Sequence, residues 1–143
     1  MKRIVDVRFT VRTSLDKTWA HLADIEKWPS WAHHIKSVAK SPPGPLSAAT
    51  EGALVLSNGM KSTFRMTDFD PPRRWKWVGP FMGSEVHYDH VFEKAGPQKT
   101  TIRFIVDAKG ISIFFLGWLF GWIYRKNLNR AIPNLIREIE SLP

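Results

Sequence analysis

The sequence predicts an α+β fold in which a curved antiparallel sheet of about six to seven strands wraps around a long C-terminal helix. Three observations lead there. The chain from Lys2 to Arg12 alternates apolar and polar residues, and two brief helical patterns follow it directly. A series of short alternating segments is then separated by turn residues, as in an antiparallel meander. The last stretch, from Ser112 to Leu142, has helical spacing.

In the first strand Val5, Val7, Phe9 and Val11 share a face opposite Asp6, Arg8, Thr10 and Arg12. Thr13 and Ser14 offer N-cap oxygens, and Leu15, Trp19 and Leu22 recur at helical spacing behind them. Asp24 is placed to cap a second short turn through Trp28, which Pro29 should limit. Strands are expected near Ile35–Lys40, Ala53–Ser57, Lys61–Phe69, Arg74–Val78, Ser84–Lys94 and Thr100–Lys109. The breaks are Ser41-Pro42-Pro43-Gly44-Pro45, Asn58-Gly59, Asp70-Pro71-Pro72, Gly79-Pro80 and Ala95-Gly96-Pro97. In the final helix Leu128, Ile132, Leu135, Ile139 and Leu142 form one stripe, and Pro133 predicts a kink or a break. Nothing divides the chain, so residues 1–143 are read as one domain.

Composition narrows the function classes. The chain has no cysteine, which excludes disulfides, thiolate metal sites and cysteine nucleophiles. Its start lacks the apolar core of a signal peptide, pointing to the cytoplasm. The formal charge is +8, but the basic residues are scattered, the densest groups being Arg73-Arg74 with Lys76 and Arg125-Lys126 with Arg130. Nucleic acid is not an expected partner, since it binds concentrated basic patches and not net charge. Seven tryptophans and nine phenylalanines exceed what a minimal core requires.

Alternation assigns the inner face of the sheet. Val86, Tyr88, His90 and Phe92 share one parity, as do Thr100, Ile102, Phe104, Val106 and Ala108, Phe64 with Met66, and Trp75 with Trp77. Rings and aliphatics with a few polar tips are what the wall of an apolar pocket contains. The run from Ile111 to Tyr124 is too short to span a bilayer and reads as buried helix. Being apolar almost all round, it is covered on both sides, borders a cavity, or contacts a membrane. Gly117 and Gly121 in it fit close helix-to-sheet packing as well as helix pairing.

His90 stands alone among apolar neighbours, as a satisfied buried histidine or as a hydrogen-bonding or proton-transfer group. His33-His34 diverge and His87 has the opposite parity, so no metal site emerges. Glu85 and Asp89 fall on the outward parity, and there is no phosphate loop and no serine elbow.

Several phrases resemble the START/Bet v 1-like superfamily (SRPBCC), in particular its polyketide cyclase/dehydrase and lipid-transport branch. They are Val11–Trp19 as V-x-x-S-x-x-x-x-W, Asp24-Ile25-Glu26-Lys27-Trp28-Pro29-Ser30-Trp31, and Asp70-Pro71-Pro72-Arg73-Arg74-Trp75. His90-Val91-Phe92-Glu93, Lys99-Thr100-Thr101-Ile102 and Gly110 before the last helix complete the set. The resemblance implies a helix-grip fold with a hydrophobic cavity between sheet and helix, closed at one end by the two short helices.

The expected function is binding or carriage of a lipid, quinone or polycyclic aromatic molecule without a cofactor. Its candidate ligand-binding residues are Trp28, Trp31, Phe64, Met66, Trp75, Trp77, Tyr88, His90, Phe104, Val106, Phe114 and Trp118, with Trp28 and Trp31 acting as a lid. The alternative is a cyclase or dehydratase in which His90, with Tyr88 or Tyr124, moves protons. A third reading is a membrane-surface or protein-interaction module. A monomer or weak homodimer suits all three.

Overall fold

The structure is a computed structural model describing residues 1–143. Its sheet has seven antiparallel strands in the order β1-β7-β6-β5-β4-β3-β2. They are β1 (Lys2–Val11), β2 (Ile35–Ser41), β3 (Glu51–Leu56), β4 (Lys61–Asp70), β5 (Arg74–Phe81), β6 (Ser84–Gly96) and β7 (Lys99–Lys109). Helix α1 (Leu15–Ala23) and a 3₁₀ segment (Ile25–Ser30) link β1 to β2, and α2 (Ile111–Glu140) crosses the concave face.

Register turns the predicted parity into cross-strand rungs. Val7, Phe104, His90 and Trp75 form one rung, and Val5, Val106, Tyr88, Trp77 and Met66 form the next. These side chains face α2, and except for Val7 and Tyr88 they are buried. The convex face instead carries ion pairs. Arg3 meets Asp107 at 2.7 Å, Arg103 meets Asp6 at 2.6 Å, and Arg74 grips both oxygens of Asp89. Asp89 lies on the outward parity as expected, yet it is buried beneath that guanidinium.

Three local expectations change. β5 runs through Gly79-Pro80, and the chain turns at Met82-Gly83, both with positive φ. Glycine is required at 79 because a Cβ there would sit 2.2 Å from the Thr63 carbonyl oxygen. Asp24 makes no capping bond and pairs with Lys27 at 3.4 Å, and Pro29 lies inside the 3₁₀ segment without stopping it. Ser14 does cap α1, accepting from the Lys17 amide. Finally, α2 continues without a break through Pro133. That ring is exposed, while Ala131, Ile132, Leu135 and Ile139 on the opposite side are buried and hold both flanks.

Among the contacts that hold α2, four are spread along its length. At its start Ser112 donates to the Phe81 carbonyl at 3.0 Å and touches the Ser84 hydroxyl. In its middle Arg125 donates to the Ile4 carbonyl at 3.1 Å, and near its end the Ile139 carbonyl accepts from Thr13 at 3.1 Å. Gly117 and Gly121 supply the fourth by letting the helix settle on Ile4 of β1, the helix-to-sheet role expected of them. A bulge between Arg3 and Val5 turns Ile4 inward beside Val5, which simple alternation does not anticipate.

The two glycines should respond differently to alanine. A Cβ at 121 would lie 2.8 Å from Ile4 Cγ2, whereas at 117 the nearest atom is 3.2 Å away on Ile113. Gly121→Ala should lose about 1–3 kcal/mol to overpacking, against a helix-propensity gain of about 1. Gly117→Ala should be neutral or stabilising by up to about 1 kcal/mol. Urea unfolding of the two variants checks the order, and equal stabilisation of both would contradict the close approach.

Candidate functional site

The centre of the concave face is a cluster of rings around His90. The imidazole stacks on Trp75 with centroids 4.4 Å apart and meets Trp77 edge-on at 5.0 Å. Phe104 and Trp28 stand at 5.7 and 5.8 Å. Phe64 stacks on Trp77 at 4.2 Å, and Phe92 stacks on Trp75 at 5.6 Å. Edge-to-face and offset pairs of this kind are each worth about 0.5–1.5 kcal/mol beyond their buried area.

Two polar atoms in this cluster decide its chemistry. His90 Nδ1–H donates to the Trp75 carbonyl at 3.2 Å, which fixes the tautomer and leaves the Nε2 lone pair available. Burial pushes the imidazole down to about 4, opposed by the Trp75 bond and the Asp89 charge, so it is neutral at physiological pH. Close by, the indole N–H of Trp75 is the one buried side-chain N or O atom without a hydrogen-bond partner.

Towards the middle of α2 the wall continues through a tyrosine pair. Tyr88 and Tyr124 lie 5.9 Å apart, and Phe120 stacks on Tyr124 at 5.9 Å. Both phenols keep some accessible surface, yet desolvation raises Tyr88 to about 12 and raises Tyr124 further. These partly buried phenols pack against the core where the middle of α2 meets the sheet.

Of the expected site residues, Trp28, Trp31, Phe64, Met66, Trp75, Trp77, His90, Phe104 and Val106 are buried in one core, with Tyr88 packed against it. Trp28 is a fixed wall rather than a mobile lid, since its indole donates to the Leu22 carbonyl at 2.9 Å. Trp31 is also buried, at 4% exposure, and lies 5.6 Å from Trp28. It lines a recess of about 290 Å³ with His33, His34, Ser57, Asn127, Arg130, Ala131 and Asn134. Burial lowers the His34 pKa there. Trp19, on the apolar stripe of α1, keeps partial exposure while touching Trp75 and Phe92 edge-on.

Phe114 and Trp118 are corrections. They are 79% and 70% exposed and point away from the sheet, so they line no internal pocket. The same finding overturns the reading of Ile111–Tyr124 as wholly buried helix. Its inner face is Ile113, Gly117, Phe120, Gly121 and Tyr124, a division that an all-apolar run hides from periodicity.

The polar side of the Trp31 recess was missed, although Asn127, Arg130 and Asn134 repeat at helical spacing beside the apolar stripe. A larger groove of about 760 Å³ is open and lies mainly on the outward parity of β2 to β6. Lys40, Glu51, Lys61, Arg65 and Glu85 line it, a composition suited to water rather than to an apolar ligand.

The neutral state of His90 sets a pH dependence. The unfolded chain takes up this proton near pH 6.5, the folded protein only near 4, so the unfolded state binds more protons between those values. Stability should therefore fall as pH drops from about 6.5 towards 4, by up to roughly 3 kcal/mol from this group. In His90→Phe the slope should shrink, leaving the part due to His34, which shifts in the same direction. Denaturant unfolding across this range tests it, and an unchanged slope in the variant would place His90 in solvent.

Comparison with known proteins agrees with this geometry. Residues 2–137 match the model of a family described as polyketide cyclase / dehydrase and lipid transport. No curated protein matches the chain. Among solved structures, a hypothetical protein from Helicobacter pylori superposes with a TM-score of 0.78 at 14% identity, covering 93% of this chain and 85% of that one. The Zhui aromatase/cyclase from Streptomyces sp. R1128 gives 0.72 at 14% identity, with 95% and 92% covered. A START superfamily protein from Mycobacterium smegmatis gives 0.69 at 18% identity, with 97% and 98% covered. At such identities the likeness establishes the shared helix-grip fold. The family match covers nearly the whole chain, and the protein belongs to the polyketide cyclase/dehydrase and lipid transport family.

Proposed function

We propose that the protein binds and carries a hydrophobic small molecule, ring-bearing and with one polar group, between the concave sheet face and α2. One observation carries the reading: in a wall made of rings, the Trp75 N–H lacks an acceptor and the His90 Nε2 lone pair is available. A buried donor without a partner costs about 1–3 kcal/mol, and a ligand oxygen accepting from it would recover that energy. A wall built largely of aromatic rings favours an aromatic or quinone-like body over a saturated chain. Entry is assigned to the recess beside Trp31, where that indole separates the ring cluster from the outside.

The cyclase or dehydratase alternative asks His90 or the tyrosines to move protons. General acid–base catalysis works best with a pKa near the operating pH. His90 near 4 is a weak base, and Tyr88 near 12 is a weak acid. No carboxylate is hydrogen-bonded to the imidazole to raise its basicity. These groups suit holding a ligand better than transforming one.

A neutral apolar fluorophore such as N-phenyl-1-naphthylamine, titrated with tryptophan excitation, should saturate at about one site per chain with energy transfer from the ring cluster. His90→Phe should keep the fold and weaken or reselect oxygen-bearing ligands by about two- to tenfold, the value of one net hydrogen bond. Trp118→Ser serves as control, because that side chain faces outward. Binding lost in Trp118→Ser but untouched in His90→Phe would put the site on the outer surface and end the carrier reading.

A further inference from the structure

We infer that the outward face of the first half of α2 docks the protein onto an anionic lipid surface. This rests on a different surface from the ligand site and holds whether or not a ligand binds inside. Phe114, Phe115, Trp118, Trp122 and Ile123 all stand exposed on that face. Ile111 extends it at the helix start, and Met82 in the β5–β6 turn lies beside it, held there by the bond from Ser112 to Phe81. Large rings clustered in this way on an outer surface mark an interaction site, unlike scattered single apolar residues.

Charge identifies the occupant. From Ile111 to Arg137 the helix carries no acidic residue. Beyond the apolar turns the same side of the helix continues into Lys126 and Arg130, both exposed. The Lys126 ammonium lies 5.1 Å from the Trp122 ring centre, at the border of the apolar patch. The other dense basic group is spoken for: Arg73 pairs with Asp70, Arg74 with Asp89 and Lys76 with Asp68. Lys126 and Arg130, neither of them paired with a carboxylate, thus adjoin the exposed rings.

A second copy of the chain would bring the same unpaired positive charges against this face, which disfavours self-association. An anionic bilayer offers both complements in layers, an acyl boundary for the rings and phosphates for the cations. Tryptophan is suited to that boundary, and lysine beside it can extend its ammonium outwards. No helix is long and apolar enough to cross a membrane, so the helix would lie in the surface with its exposed face inserted.

The test is cosedimentation with phosphatidylcholine vesicles, with and without phosphatidylglycerol, together with tryptophan emission. The protein should bind the mixed vesicles more tightly than the neutral ones, with a blue shift. Trp118→Ser should weaken partitioning by at least about tenfold, the scale of withdrawing one large ring from an apolar phase. Lys126→Gln should weaken it by about fivefold at low salt and much less at high salt, the value of one cation near an anionic surface. Circular dichroism and interior probe binding should be unchanged in both variants. The inference is overturned if the protein ignores the mixed vesicles, or if both variants bind them as well as the parent does. It is equally overturned if ultracentrifugation shows a dimer that Trp118→Ser dissolves while vesicles remain unbound, because a second copy would then cover the face.

Discussion

The stacking of His90 on Trp75, locked by the bond from the imidazole to the Trp75 carbonyl, is the contact around which the interior is arranged. It joins neighbouring positions on β5 and β6 through both a ring face and a backbone bond. The ring cannot turn without losing that bond, so the tautomer and the direction of the free lone pair are set together. Trp28, Trp77, Phe92 and Phe104 close around the pair, and the dry surroundings keep the imidazole neutral. A charged imidazolium here would need a buried counter-ion. The nearby carboxylate of Asp89 lies on the other side of the sheet and is already held by Arg74.

Helix α2 joins two environments along its length. Its second half is a conventional amphipathic helix, with Leu128, Ala131, Ile132, Leu135 and Ile139 against the core. Its first half rests on β1 through Gly117 and Gly121 and turns bulky rings outward. Small residues inside and large ones outside invert the usual arrangement of a surface helix. Burying those outer rings elsewhere in the fold is not an option, because the inner side of this helix already covers the sheet. The apolar surface left over is the face for which lipid docking is proposed.

The two proposed surfaces meet in this helix. Phe120 and Tyr124 pack against the core, and Phe114, Trp118 and Trp122 face away from it within the same turns. A helix seated in a lipid surface would hold the inner ring wall within a helix diameter, about 10 Å, of the acyl boundary. An apolar molecule moving between membrane and interior would then spend little of its path in water.

Much of this architecture could be read from the residues alone, and the reason is local. Strand alternation depends only on a period of two, so it alone places Trp75, Trp77, His90, Phe104 and Val106 on the inner face, where they are buried. The chain phrases that carry the family likeness are equally local, which is why the fold followed from them. Boundaries shifted where tertiary contacts overrode propensity, as in β5 pairing with β6 past Gly79-Pro80 and α2 continuing past Pro133 on its buried side.

What the residues could not decide was the orientation of a helix that is apolar on every side. Phe114 and Trp118 have the same composition signal as Phe120 and Tyr124, and only the seating of Gly117 and Gly121 on Ile4 separates the pairs. Similarly, the burial order of Trp19 and Trp31 and the unpaired indole of Trp75 depend on contacts between residues far apart in sequence. Periodicity by itself determined which faces of this protein are apolar. Long-range packing decided which of those faces is covered, because burial belongs to a pair of surfaces and the sequence describes each surface separately.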